Sequence, residues 1–261
     1  MNTTRSPIGT RVALVLSLFA VTTALHADRH VPSYPDSKLE VATHVRAFWK
    51  LDEWEPMVSL DGRAEDGFEV LYRSLTLGSY YRLHRNVKVG AFYRVQQGAR
   101  HDDDWVAAGS EFEWQDTNSR TEHLFFADVS PRFLVPQLPG EDWVFMFKSR
   151  YFYNTFNQQQ WLTLRPGLTW FWIVDREPVL NVGASYEFYV PLNFGETPLY
   201  GHWPYLNVLY HLSPTIKVDA TVARRTRTWS TSEDVQNDPT HGDYQKRIRT
   251  WLLGLGVIFQ F

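Results

Sequence analysis

A two-residue alternation runs through this chain from residue 39 to its last residue, and it is most regular at the end. From Arg249 to Phe261 one face carries Trp251, Leu253, Leu255, Val257, Phe259 and Phe261, and the other carries Thr250, Leu252, Gly254, Gly256, Ile258 and Gln260. One face is large and apolar and the other is small or polar, the pattern of a β-strand between two different environments. Beyond residue 25 no long apolar run exists, so no helix of the mature chain could cross a bilayer. Yet 16% of the residues are aromatic, with 11 Trp, while mean hydropathy is −0.34. Alternating strands reconcile those two figures, because each apolar residue is followed by a polar one.

Read in order, the alternation predicts a strand over Leu39–Leu51, a polar loop from Asp52 to Gly67, and a hairpin of Ser74–Leu83 and Val87–Gln96 around His84-Arg85-Asn86. After the acidic tip His101–Asp104, Trp105 to Arg120 is assigned to a loop. Further strands follow over Phe125–Phe133, Trp143–Asn154, Leu162–Trp172, Leu180–Tyr189, Tyr205–Leu212 and Ile216–Ala223, and then the terminal strand. Pro166 is expected to mark a bulge. Short turns at His84, Pro136, Asp175 and Ser213 fall on one side and long loops on the other. Together these predict an all-β, transmembrane, antiparallel up-and-down barrel of about ten strands, with both ends of the chain on the short-turn side. Twelve strands is the alternative, should Trp105–Arg120 add a hairpin. An eight-stranded soluble barrel of the lipocalin type would instead expose Phe145, Phe147, Tyr151, Trp170 and Trp172 to water. Gly78, Gly90, Gly167, Gly183, Gly254 and Gly256 all fall on the polar face, where they leave room beside long side chains.

At the other end of the sequence, Arg5 and Arg11 precede the apolar run Val12–Leu25, the layout of a signal peptide. Cleavage is expected after Ala27, with Ala24 as the second choice, which divides the chain into a leader over 1–27 and a barrel over 28–261. The chain has no cysteine, which excludes disulfides and a lipid anchor on a modified cysteine. Losing Arg5 and Arg11 with the leader leaves 24 basic against 29 acidic residues, a net charge of −5. That balance offers nothing to a nucleic acid.

Two resemblances bear on location. Gly256, Phe259 and the terminal Phe261 are similar to the C-terminal assembly signal of Gram-negative outer-membrane proteins, departing from it at Leu255, where a polar residue is usual. The resemblance implies an outer-membrane location and recognition by the barrel assembly machinery. From about Leu75 onward the chain also resembles a family of outer-membrane barrels known only as a domain of unknown function. The shared features are Tyr80-Tyr81-Arg82-Leu83, the strand from Arg120 to Arg132 with Glu122-His123 near its start, the aromatic hairpin Trp143–Trp172, and Leu209-Tyr210-His211-Leu212-Ser213-Pro214. That likeness implies a location and no reaction.

The polar face is basic although the chain is acidic. Arg46, Lys50, Arg82, Lys88, Arg94, Arg132, Lys148, Arg150, Arg165, Lys217, Arg225 and Arg227 oppose Glu40, Asp128, Glu187 and Asp219. Such a lumen suits a narrow, porin-like channel for small anionic solutes. The same residues could instead form a network that plugs a rigid, purely structural barrel. Outside, Arg224, Arg247 and Arg249 are placed toward lipid, where guanidinium groups pair well with lipopolysaccharide phosphates. The first two loops are acidic, through Glu53, Glu55, Asp61, Glu65 and Asp66, and then Asp102–Asp104. An enzyme acting on lipid or lipopolysaccharide is the third possibility. His211-Leu212-Ser213 resembles the His-x-Ser pair of outer-membrane lipid A deacylases, but it sits at a short turn and Pro214 follows. His44 and Ser74 could face each other across the lumen, with no acid at an evident spacing to complete a triad. No catalytic set, metal motif or cofactor motif is evident; His101, His123, His202 and His241 are assigned to loops.

Overall fold

The computed structural model describes residues 39–65, 70–101, 105–108, 111–114, 117–139, 142–195, 198–230 and 245–261. The expected leader over 1–27, Asp66, Asp102–Asp104 and His241 lie outside the described residues. The fold is a closed β-barrel, as the alternation predicts, built from eleven strands with a separate two-stranded hairpin. In chain order these are β1 (Leu39–Phe48), β2 (Trp54–Ala64), β3 (Val70–His84), β4 (Val87–Gln97), β5 (Trp105–Ala108), β6 (Glu111–Trp114) and β7 (Thr121–Leu134). There follow β8 (Trp143–Asn154), β9 (Gln160–Val174), β10 (Glu177–Pro191), β11 (Gly201–His211), β12 (Ile216–Ser230) and β13 (Gln245–Gln260).

The strand that alternation missed is β2, which occupies the expected loop from Asp52 to Gly67. Its inward residues are Glu55, Met57, Ser59, Asp61 and Arg63, and its outward residues include Trp54, Val58 and Leu60. Charge on one face and Pro56 and Gly62 on the other make this segment look like a polar loop. A tight reversal with Asp52 at φ 51 joins β1 to β2, closed by Leu51 and Trp54 exchanging backbone hydrogen bonds of 2.9 and 2.8 Å. Within the expected loop Trp105–Arg120, β5 and β6 lie outside the barrel sheet and pair with each other.

The additional strand has a topological consequence. Neighbours run antiparallel throughout, except that β1 meets β13 in parallel, from Leu39↔Trp251 to Phe48↔Gln260. An odd strand count requires one such pair. The expectation that both ends of the barrel chain share the short-turn side is therefore corrected. Phe261 lies at that side, where its N–H donates to the Phe48 carbonyl at 2.9 Å and its carbonyl accepts from Lys50 N–H at 2.8 Å. Leu39 begins at the long-loop side. The predicted closure of the terminal strand on the first strand is present, in the parallel sense.

Other turns follow local chemistry. Asp175 (φ 50) and Arg176 (φ 67) form a two-residue hairpin between β9 and β10, the left-handed pair that matches strand twist. No bulge occurs at Pro166. The register of β9 against β10 is the same before and after it, and the shift lies between Pro178 and Leu180 instead.

Burial is inverted relative to a water-soluble domain. Glu122, Asp128, Asn154 and Arg225 are almost wholly buried, whereas Leu77, Phe125, Leu206, Val222, Leu253 and Leu255 are exposed on the outer wall. Inside, one hydrogen-bonded row of facing residues is apolar: Phe48, Met57, Gly78, Phe92, Phe126, Phe152 and Trp161, on seven successive barrel strands. Phe126 stacks between Phe92 and Phe152 at centroid distances of 4.9 and 5.0 Å, and Trp161 lies 4.8 Å beyond Phe152. Phe92 covers Gly90, where a Cβ would sit within 3 Å of its ring. This part of the wall thus has a packed core, and the opposite wall, with Gly167, Gly183, Thr221 and Gly254, leaves space.

Candidate functional site: the lumen

That space is a cavity of about 820 Å³. Its lining reaches from Phe48, Arg132 and Ile258 near the short-turn side to Arg100, Phe194 and Arg227 near the long-loop side. Strand alternation aims the charged side chains into it. Of the residues expected to face inward, Arg46, Lys88, Arg94, Arg132, Lys148, Arg150, Arg165, Arg225 and Arg227 line the cavity. Lys217 points inward too, donating to Gln260 Oε1 at 2.7 Å. Arg82 does not line the cavity and lies exposed next to the short turn.

The cations are not left bare. Asp128, with a fully buried side chain, accepts from Lys148 at 3.2 Å and Arg150 at 3.1 Å, and the Tyr80 hydroxyl donates to it at 3.3 Å. Glu40 pairs with Arg225 and, at 3.4 Å, with Arg63. Arg165 pairs with Glu187, Lys88 with Glu55, and Arg46 with Asp61 at 3.7 Å. Glu55 and Asp61, expected in a solvated loop, are therefore corrected to the lumen wall, where β2 carries them.

Aromatic faces hold positive charge as well. Arg94 lies 5.1 Å from the centre of the Phe126 ring and donates to Thr76 Oγ1 at 2.9 Å, and Arg150 lies 4.7 Å from Phe126. Arg225 and Arg227 share Trp203 at 3.9 and 5.5 Å. Each such contact contributes about 0.5–2 kcal/mol, more as water is excluded.

These contacts join into one oblique line across the lumen. Lys88, at the start of β4, lies over Tyr80, whose hydroxyl accepts from Lys148 at 2.9 Å. Lys148 is opposite Arg165, Arg165 pairs with Glu187, Glu187 is opposite Trp203, and Arg225 stacks on Trp203. Because strands tilt in a barrel, a row across them climbs the wall. This one climbs from the short turn beside Lys88 toward the long loops beyond Arg225 and Arg227.

Two clusters escaped sequence reasoning. His44 Nε2 lies 2.7 Å from Asp219 Oδ1 above Gly256, where a Cβ would collide with both. Ser74 belongs instead with Asp61, at 3.5 Å, so no Ser-His-Asp set forms. At the long-loop side Glu122 is 1% exposed and is bonded by His101 at 2.7 Å, Arg120 at 2.9 Å, Gln96 at 3.1 Å and Asn154 at 3.0 Å. This knot ties both ends of the β4–β7 connection to the wall. His101 and Asn154 in it are 53 residues apart, so no local spacing signals it.

The expected placement of His123 and His202 in loops is corrected. They sit on β7 and β11, facing outward, each within 2.6 Å of a tyrosine hydroxyl, Tyr93 and Tyr186 respectively. Ser213 Oγ accepts from the backbone N–H of Ile216 at 3.0 Å, so it braces the turn after His211. Among the described residues no group of three or more His, Asp or Glu is set to hold a metal ion. Arg224, Arg247 and Arg249 are exposed on the outer wall.

A closed β-barrel with an ion-paired polar interior and an apolar outer wall is the class that fold and site define. Neither a known family model nor a curated protein matches the chain.

Proposed function

We propose that this protein is a bacterial outer-membrane barrel whose hydrated lumen passes small anionic solutes. The inverted burial supports the membrane reading. An apolar wall continuous around a barrel far exceeds the few hundred Å² that a soluble monomer exposes, and a bilayer is the solvent in which it costs nothing. The leader-like residues 1–27 and the likeness of Gly256, Phe259 and Phe261 to an assembly signal agree with export and insertion by the barrel assembly machinery.

The observation that carries the anion reading is the oblique cationic row. Carboxylates are fewer than cations along it, since Asp128 serves both Lys148 and Arg150 and Glu40 serves both Arg225 and Arg63. An anion entering the lumen meets successive guanidinium and ammonium groups, all of them partly neutralised by acids or aromatic rings and so able to release it to the next. Conduction needs binding of that moderate kind.

Single-channel recording across a salt gradient tests it. The wild-type barrel is expected to show a reversal potential on the anion side. Arg150→Glu with Arg165→Glu changes the lumen by four charge units. At roughly 5 Å in a water-filled pore each unit contributes about 0.8 kcal/mol before salt screening. A selectivity change of at least tenfold is therefore expected, and an unchanged reversal potential would refute the anion reading. The apolar row and the tight ion pairs favour one other reading, a barrel packed for rigidity; complete absence of conductance steps would select it.

A further inference from the structure

We propose that Arg224, Arg247 and Arg249 on the outer wall form a docking site for the phosphate groups of an outer-leaflet lipid of the lipid A type. The inference rests on the membrane reading above but not on conduction. In the β12–β13 ladder Arg224 faces Trp251, Thr226 faces Arg249 and Thr228 faces Arg247. Alternation puts Arg247, Arg249 and Trp251 on the same outward face, successive ones about 7 Å apart. Arg224 lies over the Trp251 ring, 5.0 Å from its centre, and is diagonal to Arg249 in the ladder. His202 stands in the same cross-strand row, opposite Thr226, with its Nδ1 engaged by the Tyr186 hydroxyl.

Among the described residues no carboxylate pairs with any of the three arginines, in contrast to the lumen. The outward residues around them, Phe188, Pro204, Thr226 and Thr228, carry no negative charge. Like charges gathered without a counter-charge repel one another, and a bidentate phosphate removes that repulsion while using the planar donor geometry of arginine. Directly toward the short-turn side the same wall becomes apolar through Trp251, Leu253, Leu255, Val222 and Leu206. Cations above an apolar wall, at the long-loop rim, match a lipid that carries phosphates above acyl chains.

Native mass spectrometry of the purified full-length barrel in detergent tests the site, with hexa-acylated diphosphoryl lipid A and its dephosphorylated form as probes. The wild type is expected to hold the diphosphoryl lipid about tenfold or more tighter than the dephosphorylated one, the effect of charge-assisted hydrogen bonds. R224A/R247A/R249A is expected to abolish that preference, and R224K/R247K/R249K to retain part of it. Equal binding of the two lipids by the wild type overturns the proposal and needs no variant to fold. An alanine variant with wild-type preference also overturns it, as it would if loop carboxylates neutralised the strip. Full displacement of lipid A by millimolar inorganic phosphate would assign the strip to free phosphate instead. Fractionation of the protein away from the outer membrane would mark failure of the membrane reading itself, a separate result.

Discussion

Replacing Asp128 by Asn keeps the shape of the side chain and removes the charge that Lys148 and Arg150 share. Asp128 is completely buried, whereas the side chains of Lys148 and Arg150 are 29% and 21% exposed. Removing one partner of a fully buried pair costs about 3–5 kcal/mol, because the other charge is left without compensation. Here the orphaned cations retain access to the lumen, so the loss falls below that range, to about 2–3 kcal/mol. With a urea dependence of about 3 kcal/mol per molar for a chain of this size, the unfolding midpoint should drop by somewhat under 1 M. Tryptophan fluorescence of the barrel in detergent micelles reads that midpoint. Adding Lys148→Met, which removes one orphan, should recover roughly half of the loss. The same Asp128→Asn protein should show a reversal potential shifted further toward anions. A midpoint within 0.2 M (about 0.6 kcal/mol) of wild type would refute the view that Asp128 neutralises the centre of the cationic row.

Further tests address the wall and its seam. Leu60 points outward from β2 and is 56% exposed, so Leu60→Arg should destabilise the barrel by about 2–4 kcal/mol in a bilayer; an unaffected folded fraction on heat-modifiability gels would return that segment to a loop. Gly256→Val places side-chain atoms where His44 and Asp219 meet, and overpacking of about 1–3 kcal/mol at the β1–β13 seam should lower the yield of folded barrel. If Gly256→Val assembles with wild-type yield and stability, the seam is not packed as described. Deleting Phe261 removes two backbone hydrogen bonds to the β1 end and should impair assembly while export persists; normal folded barrel in the outer membrane would contradict its role.

The sequence by itself determined the fold class, the facing of most strands and the basic character of the lumen. Each of these is carried by parity, and parity is local: a residue and its second neighbour share a face whatever the rest of the chain does. Arg150 and Arg165 could therefore be placed inside, and Trp172 and Leu255 outside, without knowing which strand lies beside which. Sequence also located the outward arginines of β12 and β13, by the same rule.

Tertiary structure decided what depends on neighbours. Trp54–Ala64 is a strand because β1 and β3 flank it and pair with it, although its own charges resemble those of a loop. That one strand turned β1 over, made the closure parallel and brought Glu55 and Asp61 to Lys88 and Arg46. Pairings between residues as distant as Arg225 and Glu40 have no sequence period to betray them. The basic face read from the chain thus became a partly neutralised row. Its sign was set by residue types, whereas the strength of its field was set by which acids the closed barrel brought within reach, since Coulomb energy depends on separation that only three-dimensional closure defines.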